Sequence, residues 1–326
     1  MRHVTLLAIW LASFAVFAES KAPLLLIGNK SDDTLSFVDV RTLKEIHKTT
    51  TGRGPHEVAV TPDGKLAFVS NYEGPGDTIT VIDVNARKEL RRIPLGEHLA
   101  PHGLAVNRDG TKLYATCERT QTVIELDVAS EKIVRSFKTA QKGTHMLVLT
   151  PDGKKLYTGN MGSGSSTVID LVKGEVLAQI KTGPNCEGVD VTPNGKEVWT
   201  TNNAEDTLSI IDTSSDRVAG TIPCKGFPIR VKFTPDGKRA LVPCARSNEL
   251  AIFDVSERKE IKRVGTGGFP VGVLIEPEGV RAYLAHTADS IVAIYDLKTL
   301  EVLGKIKAGK QADGMALIVQ HEFLVR

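Results

Sequence analysis

Three of the eight histidines in this chain, His56, His102 and His145, each open an apolar run (HEVAV, HGLAV and HMLVL), and Glu187 opens a fourth (EGVDV). Asp313 opens a fifth such run, DGMALI. Imidazole binds zinc, copper and non-haem iron, and a carboxylate completes a site that keeps coordination positions open. The five side chains therefore form a metal site if the fold brings them to one place. Arg230 follows Ile229 at the start of another apolar run and offers a guanidinium, either to a substrate carboxylate or to neighbouring acidic groups. His98 lies in the extended loop GEHLAPHG, which would lean over such a site as a lid. Cys117 and His286 end strand-like runs beside it. Cys117 reads as a thiolate ligand or as a partly buried free thiol.

A repeat must position these residues. Asp39, Asp83, Asp127, Asp170, Asp212, Asp254 and Asp296 each close a short apolar run, at spacings of 44, 44, 43, 42, 42 and 42 residues. A period of that length marks a propeller or solenoid array and outweighs the two-domain expectation from 326 residues. Each unit holds four strand-length runs rich in Val, Ile, Thr and Leu. Turns such as TPDG at 61–64, 150–153 and 234–237 join the first two of them. The expected fold is all-β, a seven-bladed β-propeller of four-stranded antiparallel blades. The chain begins at Leu24 with a second-strand sequence and stops after a first-strand sequence, so its last strand should complete the N-terminal blade and close the ring. Ring order at the start of the innermost strands is then Asp313, His56, His102, His145, Glu187, Ile229 and Val271. The seven Asp residues themselves read as turn formers, each bonding nearby backbone amides.

The rest of the chain limits the function classes. Residues 1–18 have a basic Arg2, an apolar stretch from Val4 to Phe17 and a compact end at Ala18, the layout of a secretory signal peptide. Residues 19–326 then form one domain, expected in the periplasm or outside the cell. Lys+Arg 41 against Asp+Glu 39, with the basic residues scattered, gives no nucleic-acid footprint, and no later segment is apolar enough for a membrane span. The four cysteines lack CxxC spacing, and Cys224 with Cys244 is the one pair placed for a disulfide. Nucleophile-elbow, HExxH, Walker and Rossmann patterns are absent.

KLAFVSN at 65–71, KLYTGN at 155–160, EVWTTN at 197–202 and the repeated VID strands resemble the YVTN-repeat β-propeller family, which includes exported YncE-like proteins. The resemblance covers essentially all of residues 19–326 and implies the fold. Such propellers serve as binding surfaces, surface-layer modules and parts of redox enzymes, so it does not fix an activity. Cys117, Cys244 and His286 depart from the family pattern, standing where other blades have Asn. The leading expectation is a monomeric exported propeller binding a small ligand, a metal or a protein partner at the mouth of its channel, through His56, His102, His145, Glu187, Asp313, Arg230 and His98. Two rivals stay open on the residues alone. One is a metal-dependent enzyme using copper, zinc or iron in the His/carboxylate arc; the other is an envelope interaction scaffold that uses its outer rim and leaves the arc incidental.

Overall fold

A computed structural model of the chain describes residues 23–74 and 76–319. The leader-like segment 1–18 and His321 lie outside the described residues. Twenty-eight strands form seven four-stranded antiparallel sheets, as the repeat requires. Blade 1 joins Leu24–Asn29, Thr34–Asp39 and Lys44–Thr50 to the final strand Ala312–Ile318, with Leu24 opposite Ile318 and Ile27 opposite Met315. The ring is thus closed by its two ends, and blades 2 to 7 follow in chain order from Pro55. Among the described residues no helix is long and apolar enough to cross a membrane.

Second and third strands are buried almost throughout, because each sheet is covered on both faces by its neighbours. The core therefore lies between blades. Trp199, Leu208 and Ile210 of blade 5, for example, pack on Phe233, Val242 and Phe253 of blade 6, with Trp199 edge-on to Phe233 at 5.4 Å. Fourth strands face solvent and are mostly exposed. The seven repeated Asp residues act as the turn chemistry requires: Asp39 Oδ1, for instance, accepts the amides of Arg41 and Thr42 at 2.8 and 3.0 Å. Asp127 and Asp212 are held down to about 2 by such bonds, to Ser130 in one case and to Ser214 and Ser215 in the other.

The innermost strands carry the feature that builds the site. In blades 2, 3, 5 and 7 the pairing to the second strand slips at the second residue, between Pro55 and Val58, Pro101 and Leu104, Cys186 and Val189, and Pro270 and Val273. Such bulges re-aim side chains. The amide freed in blade 3, Gly103 N, donates to Thr116 Oγ1 at 2.8 Å, and the amides of Glu57 and Gly188 donate likewise to Ser70 and Thr201. Those hydroxyls then donate to a carbonyl in the next blade: Ser70 to His102, Thr116 to His145 and Thr201 to Ile229. Three ring residues, His102, His145 and Ile229, are thereby fixed by the blade before them.

The innermost strands approach closely where the residue after the ring position is glycine. A Cβ on Gly314 would stand 2.0 Å from His56 O and 2.8 Å from Glu57 Cα. Because those are backbone atoms of the adjoining blade, Gly314→Ala should cost about 3 kcal/mol or more. In thermal melts that is a fall of about 5 °C or more, whereas Gly265→Ala, with nothing within 4 Å, should stay within about 0.5 kcal/mol of the parent.

Candidate functional site

The ring positions meet as the repeat register predicts, and the structure divides them into a polar arc over blades 1 to 5 and an apolar arc over blades 6 and 7. His102 is fully buried between two other imidazoles, with ring centroids 3.9 Å from His56 and 3.5 Å from His145. Tyr72 stands edge-on to both His56 and His102 at 5.3 Å. Among the described residues neither nitrogen of His102 has a hydrogen-bond partner, nor does His56 Nδ1. Leaving a buried polar group unpaired costs about 1–3 kcal/mol, so three such nitrogens in one stack call for a partner from outside the chain, an ordered water or a bound ion.

Donor atoms of His56, Glu57 and His102 converge within 4.8 Å of one another. Glu57 is a residue that the sequence reading missed. Its signal was available: it occupies the same repeat position as Arg230, the one after the ring residue, where four other blades have glycine. The structure uses that symmetry, since Arg230 Nη2 reaches across from blade 6 to Glu57 Oε1 of blade 2 at 3.0 Å. Arg230 Nη1 also binds Glu187 Oε1 at 3.0 Å, and Asn203 donates to Glu187 Oε2. Arg230 is thus the partner of two acidic groups at once.

The other expected ligands have partners of their own. Asp313 Oδ2 pairs with Lys30 Nζ at 2.9 Å and lies 3.5 Å from His56 Nδ1. His145 Nδ1 is 2.7 Å from Glu118 Oε2, while its Nε2 lies 3.9 Å from Glu187. Glu118 and Lys30 begin loops between second and third strands and were not singled out from the sequence. His98 does not join the cluster: its Nδ1 lies 3.2 Å from Thr122 Oγ1 on a third strand, and its loop is tied back by His98 N to Leu95 O. His286 and Cys117 are buried at strand ends, and burial pushes the Cys117 thiol up to about 12, which removes it as a ready thiolate. Cys224 and Cys244 are free thiols whose sulfurs touch at 3.7 Å, so the pair that sequence spacing suggested is adjacent and unbonded.

Charge and burial tune these groups. Burial holds His56 well below the ordinary imidazole range despite the opposing charge of Asp313. His102 is lowered for the same first reason and then by His145 and His56. Both rings are neutral at pH 7, the form that binds metal. Burial raises Glu57 although Arg230 pulls it down, and Asp313 stays low because Lys30, His56 and Arg230 outweigh its burial. Among the described residues the four carboxylates Glu57, Glu118, Glu187 and Asp313 face three permanent cations, Arg230, Lys30 and Arg119, which leaves negative charge in excess.

A pH dependence follows for chelator-treated protein. The unfolded chain takes up protons on histidine near pH ~6.5, whereas folded His56 and His102 take them up lower. Their contribution is complete above pH ~6.5 and is lost as pH falls toward their folded values. Glu57 acts oppositely: it is raised, so its contribution is present below its ordinary value of 4.5 and is lost as pH rises from there, which offsets part of the histidine effect. Thermal melts should therefore drop between about pH 7 and 5.5, and His102→Gln should flatten that drop; a parent protein with no loss over that interval would contradict it.

The fold and this mouth define a seven-bladed propeller with a buried imidazole and carboxylate cluster at one end of its channel. The chain matches the YNCE-like β-propeller family over residues 5–96 and 177–324, most of its length, and belongs to that family. Among curated proteins it is similar to Antigen Lp49 of Leptospira interrogans, 26% identical over 163 residues, a stretch that is 48% of this chain and 35% of that protein. Among solved structures it is similar to hydrazine synthase from Kuenenia stuttgartiensis, at 24% identity and a TM-score of 0.77, covering 90% of this chain and 100% of that one. A functionally unknown protein from Desulfotomaculum acetoxidans has a TM-score of 0.77 at 10% identity, covering 91% and 99%. The dihydro-heme d1 dehydrogenase NirN has a TM-score of 0.67 at 16% identity, covering 90% of this chain and 74% of that one. At these identities the likeness is one of fold.

Proposed function

We propose that the channel mouth binds a divalent transition metal through His56, Glu57 and His102 and offers the remaining coordination positions to a small ligand. The observation that carries this reading is the stacking of His56 on His102, in which His56 Nδ1 and both nitrogens of His102 lack hydrogen-bond partners among the described residues, beside a carboxylate whose donor atom lies within 4.8 Å of theirs. Two imidazoles and one carboxylate, with no thiolate, suit zinc or ferrous iron. The excess of carboxylates over cations around the stack favours a dication over an anion there. Arg230 engages Glu57 through Oε1, as an outer partner of a ligating carboxylate does. The leader-like residues 1–18 put this site outside the cytoplasm in the same reading.

Elemental analysis tests it. Protein purified without chelator and dialysed against zinc or anaerobic ferrous iron should retain about one metal per chain and melt at higher temperature than chelated protein. Less than a tenth of an equivalent, with unchanged melting, would overturn the reading.

A further inference from the structure

The junction of blades 5 and 6 departs from the repeat in a way that the channel mouth does not use. In every blade the residue after the fourth strand donates its amide to the loop between second and third strands, as Thr51 N does to Asp33 O at 2.9 Å and Cys224 N to Asp206 O at 2.7 Å. Thr51, Thr139, Thr182 and Thr266 hold that position in four blades. The next blade sets the last residue of its second strand beside it, and in four blades that residue is Asn. Gly183 N, just after Thr182, donates to Asn202 Oδ1 at 3.1 Å, and Gly309 N, just after Ala308, donates to Asn29 Oδ1 at 2.9 Å. Between blades 5 and 6 both positions are cysteine, and the sulfurs of Cys224 and Cys244 touch at 3.7 Å. The third-strand hydroxyl that serves Asn202 in blade 5, that of Ser209, is also gone in blade 6, where Ala251 stands in that register. Exchanging the polar pair for apolar packing takes only one cysteine: at the junction of blades 2 and 3, Cys117 lies in one cluster with Leu95 and Ile124. Two cysteines facing each other make a pair that can bond.

We infer that Cys224 and Cys244 are a disulfide site that staples blade 5 to blade 6 when the chain folds in the presence of a disulfide oxidant. Bonding needs the sulfurs to close by about 1.7 Å, from 3.7 Å to the ~2.0 Å of a disulfide. The backbone already holds the two segments together: Cys244 pairs with Pro228 in an isolated bridge, Arg246 N donates to Gly226 O at 3.1 Å, and a Cβ on Gly226 would lie 3.2 Å from Cys244 Cβ. In the exchange, the Cys244 thiolate attacks one sulfur of the oxidant and expels the other as a thiolate. Cys224 then loses its proton to solvent and attacks the Cys244 sulfur, which releases the second oxidant thiolate and forms the bond. Two protein thiols are oxidised, and one oxidant disulfide is reduced to two thiols. Charge sets that order, because the bond from Cys224 and the Arg263 cation lower Cys244, whereas its bond to Cys244 and burial raise Cys224. Both sulfurs are buried, so exchange takes place as the blades assemble and not on the finished ring. The staple is independent of the metal. With residues 1–18 read as an export leader, the chain folds in an oxidising setting where such bonds persist.

Refolding the full chain from urea in a buffer of reduced and oxidised glutathione, with chelator present, tests this. Free thiols are then alkylated under denaturing conditions and the digest is mapped by mass spectrometry. Cys117 and Cys186 should carry the alkyl group in nearly every molecule, while Cys224 and Cys244 should appear in one cross-linked pair of peptides. Because the bond closes a loop of the unfolded chain, the oxidised protein should melt about 5 °C above the same sample reduced with a phosphine. In Cys244→Ala the cross-link should vanish and the phosphine should leave melting unchanged, which separates the bond from any other effect of the reductant. Four alkylated cysteines in refolded protein, a disulfide through Cys117 or Cys186, or a Cys224–Cys244 bond that leaves melting unchanged or lower would each overturn the staple.

Discussion

Replacing His102 with alanine should abolish stoichiometric metal binding while leaving the propeller folded. His102 is the centre of the imidazole stack and brings two buried nitrogens with no partner among the described residues. Substitutions of groups that only orient a ligand typically cost 10–100-fold in metal affinity, so loss of a ligand should exceed about 100-fold. The stability of the chelated protein should change far less than for an ordinary buried truncation. The cavity left by the ring is unfavourable, but removing two unsatisfied nitrogens offsets it, and a net change within about 2 kcal/mol is expected. His145→Ala should behave differently. Its Nδ1 is already engaged by Glu118 at 2.7 Å, so metal should be retained to within about tenfold. Paired zinc titrations of the two variants check both statements.

Arg230→Met should be among the most destabilising single changes in the chain. The guanidinium is buried and serves Glu57 and Glu187 at 3.0 Å each, from blades on different parts of the ring. Removing one partner of a buried ionic group costs about 3–5 kcal/mol, because the remaining charge is left without compensation. Here two carboxylates lose their partner together. Melting should fall by about 5–10 °C at pH 7, and bound metal should recover part of the loss by taking over Glu57. Arg230→Lys should not restore the parent, since a single ammonium cannot serve two carboxylates with a planar fork. A loss under about 1 kcal/mol would show that the arginine is incidental to the ring.

The fold was legible because its unit is short and repeated seven times, so that Asp39 and its six counterparts fix the register of every strand. The same register placed His56, His102, His145, Glu187 and Asp313 around one mouth. It did not show which of their atoms converge. That depends on the bulge at the second residue of the innermost strand, which turns Glu57 inward beside His56 instead of sending it to the opposite face as a regular strand would. Partners that arrive from other segments, such as Lys30 on Asp313 and Glu118 on His145, have no periodic signal at all. His98 misled for a related reason. Four-residue proximity to His102 says little when a left-handed Ala100 turns the chain between them.

X-ray absorption at the zinc edge of the loaded protein tests the central claim most directly. The expected spectrum has two imidazoles and light oxygen donors at about 2.0–2.2 Å with no sulfur, falling to at most one imidazole in His102→Ala. A site with oxygen donors only, or one whose imidazole signal is unchanged by that substitution, would contradict the assignment of His56, Glu57 and His102 as the metal centre.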